Sequence, residues 1–182
     1  MKVAVYCSAK DRIPEKYLAL GDVLGQWIAQ AGHTLVYGGA TGGLMTRVSN
    51  AAKAANGVVE GVIPQRIIQA KRMANNCDVM HVVNNMNERK QKMKEEAHCF
   101  VCLPGSYGTL DEMLDVVASG TVDEHRKPIF ILNYNGFYAG LQQQAEHMRS
   151  LSFLPLQEQY APCFVDTMEE LIQALTTVKL KK

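Results

Sequence analysis

The stretch His98-Cys-Phe-Val-Cys-Leu-Pro-Gly-Ser-Tyr-Gly-Thr-Leu-Asp-Glu112 decides the fold. The run His98 to Leu103 reads as a buried strand, and Leu110, Met113, Leu114 and Val117 recur at the spacing of one helix face. Between them lies a turn with Pro104, Gly105 and Gly108, in which proline helps to end the strand and the glycines supply conformational freedom. A strand that feeds directly into a helix leaves unpaired N–H groups and partial positive charge at the junction, a setting suited to phosphate. Thr109 followed by Glu112 also fits a capping box, in which threonine caps the helix and glutamate at N3 returns to the cap's own N–H. On this segment alone, the site reading and the purely structural one carry equal weight.

The same strand-to-helix alternation extends in both directions. Strand-like runs occupy Val3 to Cys7, Thr34 to Tyr37, Val58 to Ile63, Val79 to Val83, Ile129 to Leu132 and Cys163 to Val165. Helical periodicity separates them, with Tyr17, Leu20, Leu24 and Ile28 marking the first helix and Met168, Leu171, Ile172 and Leu175 the last. This order predicts an α/β chain: a Rossmann-like, doubly wound parallel sheet with helices on both faces, formed as one nucleotide-binding domain over residues 1–182. In such sheets ligands bind beyond the carboxyl ends of the strands, so the segments just after strands are the candidate sites.

Composition narrows the function. A net charge of +1, with one basic run at Lys179-Leu-Lys-Lys182, gives no general attraction to nucleic acid. The chain enters its first strand without a leader-like segment, and no apolar stretch reaches membrane-spanning length, so a cytoplasmic protein without membrane association is expected. Five cysteines are scattered through apolar segments; Cys99 and Cys102 share one strand and point to opposite faces, so they should neither bridge nor chelate. The histidines form no metal-ligand spacing, and neither a metal nor another cofactor is expected.

Two further segments are chemically loaded. Tyr37-Gly-Gly-Ala-Thr-Gly-Gly-Leu-Met45 follows the second strand, and Gly38, Gly39 and Gly43 suggest close backbone approach to a ligand. It is neither G-x-G-x-x-G, since Ala40 takes an essential glycine position, nor a P-loop, since no Lys-Ser/Thr follows. Asn84 to Met93 follows the fourth strand, and at helical spacing Met86, Arg89, Lys90, Met93 and Ala97 share one face. Arg89 and Lys90 could simply cover apolar surface with their stems while their heads reach water. Their place beside the glycine turns favours ligand contact instead.

These segments resemble the LONELY GUY family of cytokinin-activating enzymes, whose bacterial members are often labelled lysine decarboxylase-like. The likeness rests on Tyr37-Gly-Gly with Gly43-Leu-Met45, Gly61-Val-Ile-Pro64, Met86-Asn-Glu-Arg-Lys90 with Met93, and Pro104-Gly-Ser-Tyr-Gly-Thr-Leu-Asp-Glu112, in an order running from about Lys2 to Leu175. It implies hydrolysis of the N-glycosidic bond of AMP or a cytokinin riboside 5′-monophosphate to free base and ribose 5-phosphate. It also implies a homodimer or larger homo-oligomer, and makes Arg89 and Glu112 the catalytic pair. Cleavage of that bond develops positive charge on the ribose, which a carboxylate can stabilise or relieve by orienting water. Glu112 takes that role, and Arg89, always protonated, clamps oxygen atoms. Gly105, Ser106, Tyr107, Gly108 and Thr109 would hold the 5′-phosphate, with Gly38, Gly39, Gly43, Met86 and Lys90 completing the substrate site. Nothing resembles a pyridoxal-phosphate site.

The chain departs from the family pattern at Ala40, Thr46-Arg47 and Ser106, and in Ala118-Ser-Gly-Thr-Val-Asp123, where an aromatic and an amide are missing. Two other readings compete on the same fold: a non-catalytic nucleotide or molybdenum-cofactor carrier, and a DNA-binding relative, which the near-neutral charge disfavours.

Overall fold

A computed structural model of the chain describes residues 1–154 and 160–179, so most of the basic run at the C-terminus, residues 180–182, lies outside the described residues. Among the described residues, seven strands form one parallel sheet in the order β4-β3-β2-β1-β5-β6-β7. They are β1 (Lys2–Tyr6), β2 (Thr34–Tyr37), β3 (Val58–Pro64), β4 (Val79–Val83), β5 (Cys99–Cys102), β6 (Ile129–Leu132) and β7 (Cys163–Val165), in close agreement with the runs read from sequence.

The two-residue period of the strands divides the core. Val3, Val5, Cys99 and Val101 face α1 (Glu15–Gln30), α2 (Gly43–Ala54) and α7 (Met168–Thr176), whereas Ala4, Tyr6, Phe100 and Cys102 face α4 (Met86–Glu96), α5 (Tyr107–Thr121) and Tyr138, next to α6 (Ala139–Ser150). Cys99 and Cys102 thus lie in opposite cores, as expected of thiols three apart on a strand. Among the described residues no helix is long and apolar enough to cross a membrane, and no group of three or more His, Cys, Asp or Glu is placed to hold a metal.

The winding reverses between β1 and β5, which are neighbours although far apart in sequence. After edge strand β4, α4 runs back across β3, β2 and β1 to deliver the chain to β5, and α5 leaves β5 beside it. This crossover carries side chains of α4 from the edge to the middle of the sheet, where a crevice opens at the switch point.

Candidate active site

Arg89 and Glu112 meet at that crevice. Arg89 Nη1 lies 3.0 Å from Glu112 Oε1, and the two residues are 7% and 3% exposed. The contact is an ion pair without hydrogen-bond alignment, so Oε1 is buried with no hydrogen-bond partner. Arg89 is held instead through Nε, which donates to Val62 O at 3.2 Å, and lies near Met86 Sδ, 3.8 Å from Nη1. Burial pushes the Glu112 carboxyl above its usual range; the neighbouring guanidinium opposes that shift without cancelling it.

The helix bearing Glu112 starts earlier than the capping box requires. Ser106 is the N-cap of α5 and makes no side-chain cap bond, so Thr109 sits inside the first turn and Glu112 one turn further in. Both belong to the buried stripe Thr109, Glu112, Met113 and Val116, and they face the crevice rather than the backbone N–H groups. A capping box does form at Thr167 and Glu170 of α7. The start of α4 is likewise capped, by Asn85, which accepts from Asn87 and Glu88 N–H. The start of α5 therefore keeps its first N–H groups available beside the buried carboxylate.

The cleft encloses about 150 Å³, with Ser8, Lys10, Arg72, Met86, Arg89 and Glu112 on its walls together with Ser106, Gly108 and Thr109. Of the residues singled out in the sequence, it thus unites Arg89, Glu112, Met86, Ser106, Gly108 and Thr109. The remaining ones have other roles. Gly38 makes room for Arg89: a Cβ there would lie 1.8 Å from Nη2. Gly39 and Gly43 have positive φ, and a Cβ on Gly43 would meet Lys10 O at 2.4 Å, so these glycines let the turn fold against the segment after β1.

The amides of that turn are used internally: Thr41 N–H donates to Arg72 O, Gly42 N–H to Thr46 Oγ1 and Gly43 N–H to Asp11 Oδ1. Gly105 and Gly108 have ordinary negative φ, contrary to the freedom expected of them. Gly105 is required by proximity instead, since its Cβ would lie 2.1 Å from Thr109 Oγ1. Tyr107 is 90% exposed at the rim, and the Lys90 ammonium is engaged by Asp111 and Asp115 outside the cleft.

Lys10 and Arg72 were missed in the sequence. Lys10 was within reach of the strand-end rule, since it lies in the segment between β1 and α1 as Gly38 lies in the segment between β2 and α2. Arg72 gives no local signal; its strap joins the glycine turn through an Ala40–Met73 bridge, and its Nη2 donates to Thr41 O at 2.9 Å and Ala9 O at 3.3 Å. Cys7 also borders the cleft, but burial pushes its thiol far above the normal range and leaves it without nucleophilic character. Beside the cleft opens an apolar pocket of about 210 Å³, walled by Ile13, Pro14, Tyr17, Pro104 and Phe137 and sharing Ser8, Lys10 and Ser106 with it.

Of the departures from the family pattern, Ser106 lines the cleft itself, whereas Thr46, Arg47 and residues 118–123 lie outside its walls. Thr46 satisfies Gly42 N–H, and Arg47 turns outward to Asp22 and Glu15. Residues 118–123 lie at the opposite end of α5, where Ser119 Oγ accepts from Lys94 Nζ at 2.8 Å.

A family model described as "Possible lysine decarboxylase" matches residues 45–181. A protein of Mycobacterium marinum named cytokinin riboside 5′-monophosphate phosphoribohydrolase is 37% identical over 172 residues, covering 94% of this chain and 91% of its own. An Arabidopsis thaliana protein of the same name is 32% identical over 178 residues, covering 98% of this chain and 78% of its own. Among solved structures, the molybdenum cofactor binding protein of Rippkaea orientalis superposes with a TM-score of 0.71 at 22% identity, covering 97% of each chain, which is a likeness of fold.

Proposed function

The chain belongs to the LONELY GUY family of phosphoribohydrolases, and from that premise we propose that it hydrolyses the N-glycosidic bond of AMP or an N6-substituted relative, with Arg89 and Glu112 as the catalytic pair. The observation that carries the reading is the buried Glu112 oxygen without a hydrogen-bond partner, facing the same cleft as the start of α5. In this reading the 5′-phosphate binds the unpaired N–H groups of α5 and the Thr109 hydroxyl, and the ribose lies over Glu112.

The bond between C1′ and the base nitrogen breaks with its electron pair passing to the base, which takes up a proton. Positive charge appears on C1′ and the ring oxygen. Glu112 stabilises it and accepts a proton from the water whose oxygen bonds to C1′; that proton passes back to solvent, which supplies the one on the base, and base and ribose 5-phosphate are released. Arg89 favours the ionised carboxylate against the effect of burial and clamps ribose or phosphate oxygens through its planar fork. The pocket of Tyr17 and Phe137 gives the base an apolar wall.

A carrier of anionic ligands would gain nothing from a buried carboxylate beside the phosphate site, whereas hydrolysis of a glycosidic bond uses one. The test is incubation of purified protein with AMP and with isopentenyladenosine monophosphate, followed by chromatography for free base and ribose 5-phosphate. Release of both products from either nucleotide supports the proposal; tight binding of both nucleotides without release would make the protein a binder.

A further inference from the structure

Next to the catalytic pair, α4 and α5 are joined by a second set of charges that does not enter the cleft. Lys90 Nζ lies 3.0 Å from Asp111 Oδ1 and 3.5 Å from Asp115 Oδ1, with its side chain 14% exposed. One turn further along, Lys94 Nζ lies 2.9 Å from Asp115 Oδ2 and 2.8 Å from Ser119 Oγ. The two carboxylates bracket Glu112 in sequence, one directly before it and one on the next turn. The pairs Arg89–Glu112 and Lys90–Asp111 are therefore adjacent rungs between the same two helices.

No hydrogen bond fixes the inner rung. Glu112 Oε1 faces the guanidinium without a hydrogen bond, and Arg89 is anchored to Val62 O on β3 rather than to α5. The distance between guanidinium and carboxylate then depends on how α5 is seated against α4. The outer rungs tie the two helices together beside the inner one, in addition to the apolar core that holds Met93, Met113 and Val116.

We propose that Lys90 is a positioning residue: its ammonium, set between Asp111 and Asp115, fixes α5 against α4 and so keeps the Glu112 carboxylate opposite the Arg89 guanidinium. The inference rests on the catalytic roles proposed above for that pair. It replaces the direct substrate contact expected of Lys90 with an action through α5. The charge of Lys90 also offsets that of Asp111, which otherwise disfavours ionised Glu112. The charged or titratable groups around Glu112 are Arg89 and Lys90 from α4, Asp111 from its own helix, Tyr6, Cys7 and Cys102 from the ends of β1 and β5, and Lys10 and Arg72 on the walls of the cleft. Tyr6 and the two thiols are held neutral by burial, and Lys90 is the cation paired with Asp111.

The decisive comparison is between wild type, Lys90→Met and Lys90→Arg, read by kcat and KM on AMP and by the carboxyl ¹³C titration of Glu112 in substrate-free protein, its resonance assigned by loss in Glu112→Gln. Lys90→Met keeps the stem and removes the charge. It should lower kcat about ten- to a hundredfold with KM nearly unchanged, as expected of a carboxylate displaced by a fraction of an ångström, and should move the Glu112 titration to higher pH. Lys90→Arg should recover most of both. A Lys90→Met protein with wild-type kcat and titration overturns the proposal, as does a raised KM at unchanged kcat, which would place Lys90 on the substrate.

If Lys90→Met fails to fold, Asp111→Asn serves, since that side chain is mostly exposed. Removing its charge should shift the Glu112 titration to lower pH, and the loss of its bond to Lys90 should lower kcat; no change in either overturns the proposal. A wild-type protein inactive on every nucleotide monophosphate would refute the proposed function, while the titration would still decide the role of Lys90.

Discussion

Replacing Glu112 by glutamine changes one oxygen for an amide nitrogen and removes a charge from the least exposed carboxylate of the cleft. Two consequences are expected, and they are measured separately. The first is chemical: a positioned general base typically contributes about 10²- to 10⁴-fold, or roughly 2.7–5.4 kcal/mol at ~1.36 kcal/mol per tenfold. Release of base from saturating AMP, followed by chromatography, should fall by that factor. Affinity for the intact nucleotide, measured by calorimetry, should stay the same or improve, because a phosphate bound at the start of α5, as proposed, would lose an anionic neighbour.

The second consequence is structural. Arg89 is 7% exposed, with Glu112 as its ion-pair partner at 3.0 Å. Leaving a buried charge uncompensated costs about 3–5 kcal/mol, but burial already disfavours the ionised Glu112 carboxyl, and the neutral amide escapes that penalty while its oxygen still faces the guanidinium. The two effects offset, so at ~2–4 °C per kcal/mol for a chain of this size the melting temperature should stay within about 5 °C of wild type, with the native circular dichroism spectrum kept at 20–25 °C. Turnover within about threefold of wild type would refute the assignment of Glu112 to the charged transition state.

Several other perturbations probe separate links in the argument. Gly38→Ala would put a methyl group 1.8 Å from Arg89 Nη2; displacing the guanidinium by about an ångström should cost roughly a hundredfold in kcat/KM, and wild-type kinetics would show that Arg89 has slack. AMP should be cleaved far faster than adenosine, since phosphate binding at α5 positions the ribose; equal rates would remove the phosphate from that helix start. Because burial raises the Glu112 carboxyl and the reaction needs it ionised, kcat/KM should fall as pH drops through a value above the ordinary glutamate range. The sign for stability is opposite: a native pKa above the unfolded one means that the contribution of Glu112 to stability is complete below the unfolded pKa and is lost as pH rises through the native one. An acid limb in Glu112→Gln identical to that of wild type would assign the titration to another group. Hydrolysis at saturating AMP should survive exhaustive chelation, since carboxylate, guanidinium and helix-end amides supply the electrostatics; loss of turnover restored by a stoichiometric transition metal would show otherwise.

Much of the fold was legible because its determinants are local. Alternation of buried side chains along a strand and recurrence along a helix face are fixed by the geometry of the backbone, so the strand spans and the αβ order could be read residue by residue. The positions of Arg89 and Glu112 just after strands, together with the resemblance of their motifs, also pointed to the crevice.

What sequence left open was whether Thr109 and Glu112 cap a helix or face a cavity, since both uses require the same residues at the same spacing. The helix start at Ser106 settled it, placing the pair one turn too deep to cap anything. Gly38 is explained only by a guanidinium arriving from a distant helix, and Arg72 enters the cleft only because its strap pairs with the glycine turn. Lys90 follows Arg89 in sequence yet turns away from the cleft toward Asp111 and Asp115. Each of these depends on where α4 crosses the sheet and how it meets α5. Local propensity can define a helix and its faces, but packing between elements distant in sequence determines which neighbour each face meets.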